Sequence, residues 1–120
     1  MSRPKFRNKK TVIDGIRFDS KLEARRYIEL QMLEKAGEIS DLLIQPEYVL
    51  QPLFRKNGKT YRKIVYRADF SYYDKRQGKY IVEDTKGFQT DVYRLKKKLF
   101  EYRYPDLEIV EVFQRGKGKR

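Results

Sequence analysis

The spacing of apolar and polar residues predicts a hairpin and then a helix in the first third of the chain. Asp14-Gly15 stands between apolar residues, and this pair favours the positive φ angles of a tight turn, so we expect a hairpin near residues 11–18. Ser20, with Glu23 three residues later, has the form of a capping box. Helix-forming residues follow as far as about Ala36, and Gly37 is a typical helix stop.

The middle of the chain is β-prone from Gln45 onwards. Asn57-Gly58 marks a turn, and the stretch from Tyr61 to Tyr73 predicts one long strand. After a turn at 74–78, Tyr80 begins a further strand that ends near Gly87. Three consecutive strands with short links predict an antiparallel meander.

A second helix begins at Thr90 or Asp91 and ends before Pro105, and a final strand runs from Leu107 to Phe113. A strand–helix–strand crossover usually pairs its strands in parallel. The sequence therefore predicts an α/β domain over residues 11–113, with a mixed sheet in the order ββ-α-βββ-α-β flanked by helices. The helical spacing of four apolar residues predicts the inward face of the second helix: Val92, Leu95, Leu99 and Tyr102.

Composition excludes several kinds of chemistry. The chain has no Cys and no His, which removes thiolate nucleophiles, the usual zinc fingers and every His-based triad. Any catalysis must then use carboxylates, Lys, Tyr or a metal ion held by oxygen ligands. No apolar run is long enough to span a membrane, and no apolar signal segment follows the basic N-terminus, so we expect a cytoplasmic protein.

The net charge of +12 suggests a polyanionic partner, and most of the excess lies at the two ends. Residues 1–10 and 114–120 contain nine basic and no acidic residues, which leaves a core with 20 basic and 17 acidic residues. We expect two basic tails that bind nucleic acid. Charge alone leaves other interpretations open: the tails are solvated ends that aid solubility, or the polyanionic partner is RNA or an anionic membrane. The predicted contacts in the N-terminal tail are Arg3, Lys5, Arg7, Lys9 and Lys10.

The residues that carry the candidate chemistry are Asp69, Asp84 and Lys86. The two Asp residues stand on strands that a short turn joins, so they can lie side by side. Side chains two apart on a strand share a face, which puts Lys86 with Asp84 and turns Glu83 away. Two carboxylates suit a hard cation such as Mg²⁺, and the Lys can contact a phosphate. An ordinary Asp–Lys ion pair at a strand end is the alternative, and a bulge would bring in Glu83 instead.

This arrangement resembles the PD-(D/E)XK nuclease superfamily, and within it the phage endonuclease I group and small phage nucleases like Holliday junction resolvases. The likeness covers residues 18–113. It rests on the helical motif Ser20-Lys21-Leu22-Glu23, the strand motif Tyr66-Arg67-Ala68-Asp69-Phe70, and Val82-Glu83-Asp84-Thr85-Lys86-Gly87. The resemblance implies a restriction-endonuclease-like fold and a Mg²⁺-dependent DNA endonuclease in which Mn²⁺ substitutes.

The resemblance also implies roles for individual residues. Asp69 and Asp84 ligate the metal, the Thr85 carbonyl adds a ligand, and Glu23 reaches the site directly or through water. Lys86 is the catalytic lysine. The capping box alone also accounts for Glu23. The second helix is expected to line a DNA-binding groove with Lys96, Lys97 and Lys98. A solvated helix face is an equal interpretation of these three residues.

The implied substrate is branched DNA, cut by a homodimer because a resolvase must cleave two opposed strands. A phage-encoded enzyme would act in the cytoplasm of the bacterial host. The alternatives are a nicking or transposase-associated nuclease of the same superfamily, and a basic DNA-binding module without catalysis.

Overall fold

The computed structural model describes residues 10–85 and 89–112. Two helices and ten strands form in this part of the chain. In chain order they are β1 Thr11–Ile13, β2 Ile16–Phe18, α1 Lys21–Lys35, β3 Ile39–Ile44, β4 Glu47–Gln51, β5 Phe54–Lys56, β6 Lys59–Tyr61, β7 Ile64–Arg67, β8 Phe70–Asp74, β9 Lys79–Thr85, α2 Asp91–Arg103 and β10 Glu108–Val112.

The central sheet has four strands in the order β10-β9-β8-β3. β10 runs parallel to β9, with Ile109 opposite Val82, while the other two pairings are antiparallel. The parallel pair is joined through α2, as the crossover rule predicted. The α/β class, the mixed sheet and the two helices are therefore confirmed.

Alternation along β9 divides the core into two layers. Ile81 packs in the layer that contains α1, and Val82 packs in the layer that contains α2. The α1 layer consists of Phe18, Ala24, Tyr27, Leu30, Ile39, Phe70, Tyr72 and Ile81. The α2 layer consists of Leu50, Tyr66, Ala68, Val82, Tyr93, Phe100 and Ile109. Neighbouring residues of β9 thus face different surroundings, which decides the placement of its two acidic residues.

The hairpin and the first helix form where the sequence predicted them. Asp14 and Gly15 have φ angles of 54° and 79°, as the tight turn requires. Ser20 is the N-cap of α1, and its Oγ accepts a hydrogen bond from the backbone N of Glu23 at 3.1 Å. The Tyr27 hydroxyl donates to Asp14 at 2.8 Å and ties the hairpin to the helix.

The predicted long strand 61–73 is wrong, because the chain forms β6, β7 and β8 there. β7 pairs with β4, and β8 pairs with β3 and β9. The cause is packing: Tyr66 and Ala68 enter the α2 layer, whereas Phe70 enters the α1 layer. In one continuous strand these three side chains would share a face, so the chain has to turn at Asp69.

The predicted strand order also missed the additional strands between the helices. β3 precedes the expected start at Gln45, and Asp41 interrupts its pattern with a φ of 55° at an irregularity between Ser40 and Leu43. Seven strands, β3 to β9, therefore stand where three were predicted.

The predicted inward face of α2 is wrong. Its four apolar residues are between 39% and 87% exposed, and the buried residues of the helix are Tyr93 and Phe100. The Phe100 ring lies 5.1 Å from that of Tyr48 and 5.4 Å from that of Tyr66, so an aromatic cluster fixes the helix orientation. In the described residues, neither helix is both long and apolar enough to cross a bilayer.

Candidate active site

Asp69 lies at the end of the central sheet, in the bend between β7 and β8. Its Oδ2 accepts hydrogen bonds from the backbone N and the Oγ1 of Thr85, at 2.6 and 2.7 Å. Its backbone N donates to the Glu83 carbonyl at 3.0 Å, and its carbonyl accepts from the backbone N of Gln45 at 2.8 Å. Two hydrogen bonds therefore fix the carboxylate beside Thr85 at the end of β9, and two more fix the backbone of Asp69.

Glu23 brings a second carboxyl group to the same point. It stands in the first turn of α1, is 5% exposed, and is hydrogen-bonded to the Asp69 carboxyl. Burial, followed by the negative charge of Asp69 and the hydrogen bond to it, raises the pKa of Glu23 from 4.5 to about 8. At neutral pH the raised pKa favours the protonated form of Glu23.

Asp84 is the third acidic residue at this end of the sheet. It is 2% exposed, and its Oδ2 accepts a hydrogen bond from the Tyr66 hydroxyl at 2.5 Å. Burial and the charge of Asp84 raise the pKa of Tyr66, and the charge of Asp69 contributes. The pKa of Tyr93 is likewise raised by burial and by the hydrogen bond to Glu111, with contributions from both Asp residues. The charges of Asp69 and Asp84 therefore both act on Tyr66 and Tyr93.

Glu83 occupies the opposite face of β9. It is 1% exposed and is held by Arg26, with its two carboxylate oxygens 2.9 and 2.6 Å from Nε and Nη2, and by the Tyr72 hydroxyl. The pairings of β9 with β8 and β10 show no register shift, so no bulge turns Glu83 toward Asp69. The placement follows strand alternation, with Asp84 on the side of the candidate site and Glu83 in a structural ion pair.

The donor set fits a hard cation in its chemistry. Glu23, Asp69 and Asp84 provide carboxylate oxygens, and the chain has no His or Cys that would favour a softer metal. Within residues 10–85 and 89–112, however, no three acidic residues are gathered closely enough to form a metal-binding group. Glu23 and Asp69 contact each other, whereas Asp84 is bonded to Tyr66.

Asp84 also lines an open cleft of about 380 Å³ between β7 and α2. Lys96 and Arg67 line this cleft as well, so two cations lie in the same cleft as Asp84. The other two predicted DNA contacts on α2 are not among the residues that line this cleft. Lys97 forms an ion pair with Glu111 at 3.2 Å, and Lys98 is exposed to solvent.

Several predicted functional residues fall outside the described part of the chain. These are Lys86, the predicted catalytic lysine, and four residues of the N-terminal tail, Arg3, Lys5, Arg7 and Lys9. Lys10 is described, and its Nζ lies 3.4 Å from Asp19. The Thr85 side chain and backbone N bind Asp69, and its carbonyl remains the predicted metal ligand.

Two residues that hold acidic groups of β9 in place were not predicted from the sequence. Tyr66 stood within the strand motif without a role, and Arg26 had none, because its partner Glu83 is 57 residues away. The alternation of Tyr66 and Ala68 was a usable signal for the first, since it indicates that both side chains enter the same layer.

Comparison with known proteins identifies the family. A family model described as "Protein of unknown function (DUF1064)" matches residues 3–119, so the chain belongs to this family. No curated protein matches the chain, and no solved structure matches it.

Proposed function

We propose that this protein is a metal-dependent DNA endonuclease whose active site is formed by Glu23, Asp69 and Asp84. The observation that carries the proposal is the contact between the Glu23 and Asp69 carboxyl groups at the sheet end where Asp84 is buried. The resemblance to the PD-(D/E)XK superfamily motifs supports the same residues.

The energetics of the site favour a role beyond folding. Burying carboxyl groups together costs stability unless a positive charge or a proton compensates them. In the described chain no Lys or Arg forms an ion pair with Glu23 or Asp69, whereas the buried Glu83 has Arg26. A divalent cation would supply the positive charge that these two groups lack. A protein that only binds DNA gains nothing from acidic groups beside the phosphates.

The chain's own residues set up the reaction in a definite way. Thr85 holds Oδ2 of Asp69, and Tyr66 holds Oδ2 of Asp84, so both carboxylates are fixed in position at this end of the sheet. Glu23, Asp69 and Asp84 would hold Mg²⁺, which would supply charge neutralisation at the scissile phosphate and activation of the attacking water. Lys96 and Arg67 line the cleft where flanking phosphates would bind. Lys86 is assigned the contact to the scissile phosphate.

The proposed substrate is branched DNA, cut by a homodimer. Phosphate contacts fix position without reading base sequence, and Lys96 and Arg67 in the cleft are suited to such contacts. Two copies related by a twofold axis would place two sites on opposed strands.

The test is cleavage of a four-way junction and of supercoiled plasmid in Mg²⁺, Mn²⁺ or EDTA. We expect cuts with either metal and none with EDTA, and the junction should compete better than linear duplex of the same arms. Equal competition by the duplex would remove the branched-DNA specificity. Binding without any cleavage would indicate a nucleic-acid-binding module.

A further inference from the structure

A second cationic feature lies away from the acidic site, on the hairpin formed by β5 and β6. Asn57 and Gly58 form its turn, with φ angles of 51° and 74°. All six strand residues are exposed, and the two strands form a separate two-stranded sheet. The hairpin connects β4 to β7, which pair with each other, and β7 leads into the bend at Asp69.

The hairpin is strongly basic. Residues 51–64 contain five basic residues and no acidic one: Arg55, Lys56, Lys59, Arg62 and Lys63. Lys56 and Lys59 are direct cross-strand partners next to the turn, and like charges in this position destabilise a hairpin. A polyanion bound at the tip would relieve that repulsion.

The hairpin's stability rests on a small aromatic contact. Phe54 and Tyr61 stack at 4.7 Å with an interplanar angle of 6°, and the Lys59 ammonium lies 5.6 Å from the Tyr61 ring centre. Arg55 Nη1 is bonded to Thr60 Oγ1 on the other face. An isolated two-stranded hairpin is only marginally stable in water, so a basic hairpin with exposed faces favours a binding role over a core-building one.

We infer that this hairpin, residues 54–61 with Arg62 and Lys63, is an arm that binds the DNA duplex beside the cleavage site. Charge complementarity selects the occupant, since five cations without an acid match a phosphate backbone. The shape agrees, because a two-stranded ribbon fits the major groove. From Arg67 to Lys59 the chain can span at most about 26 Å, so the arm reaches phosphates within a helical turn of the site. The position of the arm beside a cleavage site rests on the proposed nuclease function.

The test compares two variants that lose the same charge. The arm variant carries Lys56→Gln, Lys59→Gln and Arg62→Gln, and leaves the aromatic pair and the turn intact. The control variant carries Lys35→Gln, Lys75→Gln and Arg76→Gln, three exposed residues at the opposite end of β8 from Asp69. Binding of a short labelled duplex is measured by anisotropy in EDTA over a range of salt concentrations.

We expect the arm variant to bind at least about tenfold more weakly near 0.1 M salt, with the slope of log K against log salt reduced by about 2. The control should change both quantities much less. Equal weakening in the two variants would overturn the inference, since it would show a general charge effect. A change from dimer to monomer with an unchanged salt slope would also overturn it, by assigning the hairpin to a second copy.

A crosslinking measurement keeps the inference testable if the arm variant folds poorly. The chain has no Cys, so Lys56→Cys and Lys75→Cys each give one attachment point for a photo-crosslinker. DNA should be captured from position 56 and not from position 75, and the reverse would refute the arm. Neither experiment requires cleavage of the DNA. Arm-dependent binding without cleavage would refute the nuclease alone, and cleavage by an arm variant that binds normally would refute the arm alone.

Discussion

The substitution Glu23→Gln removes the buried acid that makes folding depend on pH. Gln keeps nearly the same shape, and its amide can still hydrogen-bond with Asp69. In the native protein the Glu23 side chain is 5% exposed, and burial together with Asp69 raises its pKa from 4.5 to about 8.

The sign of the effect follows from proton binding. Between pH 4.5 and about 8 the unfolded chain has lost the Glu23 proton and the folded chain retains it, so stability falls as pH rises. The stability that the protonated Glu23 contributes is fully present below pH 4.5 and is lost as pH rises through about 8. At about 1.4 kcal/mol for each pH unit between the two values, the loss is at most about 5 kcal/mol. This is a large part of the roughly 5–15 kcal/mol that holds a typical domain folded.

Urea unfolding in EDTA, from about pH 5 to about pH 9, measures this loss directly. The wild-type protein should lose several kcal/mol relative to Glu23→Gln over this range, and Mg²⁺ should restore part of it at the alkaline end. Glu101→Gln, an exposed residue of α2, is the matched control and should follow the wild type. Parallel pH profiles for wild type and Glu23→Gln would refute the assigned burial of this carboxyl group.

Three further predictions concern other parts of the chain. Arg26→Met leaves Glu83 buried without its cation and should cost about 3–5 kcal/mol in urea unfolding, whereas adding Glu83→Met should recover much of this; no recovery would contradict the ion pair. Tyr66→Phe removes the hydrogen bond to buried Asp84 and should cost about 1–3 kcal/mol, and an unchanged stability would contradict that contact. Deleting residues 1–9, which contain four basic residues, should reduce the salt slope of DNA binding by roughly 2, and an unchanged slope would show that the tail does not touch DNA.

Local signals in the sequence predicted the parts of the fold that depend on local chemistry. The Ser20 cap, the Asp14-Gly15 turn and the parallel pairing of the last strand are of this kind. Alternation also separated Asp84 from Glu83 correctly, because β9 runs without a bulge and its two faces stay distinct.

Features that depend on distant packing could not be predicted in the same way. The turn at Asp69 arises because Tyr66 and Phe70 belong to different layers. The orientation of α2 depends on aromatic partners from β4 and β7, and its apolar spacing alone pointed to a different side of the helix. The contact between Glu23 and Asp69 joins positions 46 residues apart, so the superfamily resemblance suggested it but no local pattern fixed it.

Cleavage of a labelled four-way junction under single-turnover conditions tests the proposed active site most directly. Wild type, Asp69→Asn, Asp84→Asn and Glu83→Gln are compared in Mg²⁺, after DNA binding in EDTA has shown that each variant is folded and competent to bind. The proposal predicts cutting by the wild type, a loss of orders of magnitude in both Asn variants, and a much smaller loss in Glu83→Gln, whose side chain faces the other layer. Cutting by both Asn variants at the wild-type rate would contradict the assignment of the site.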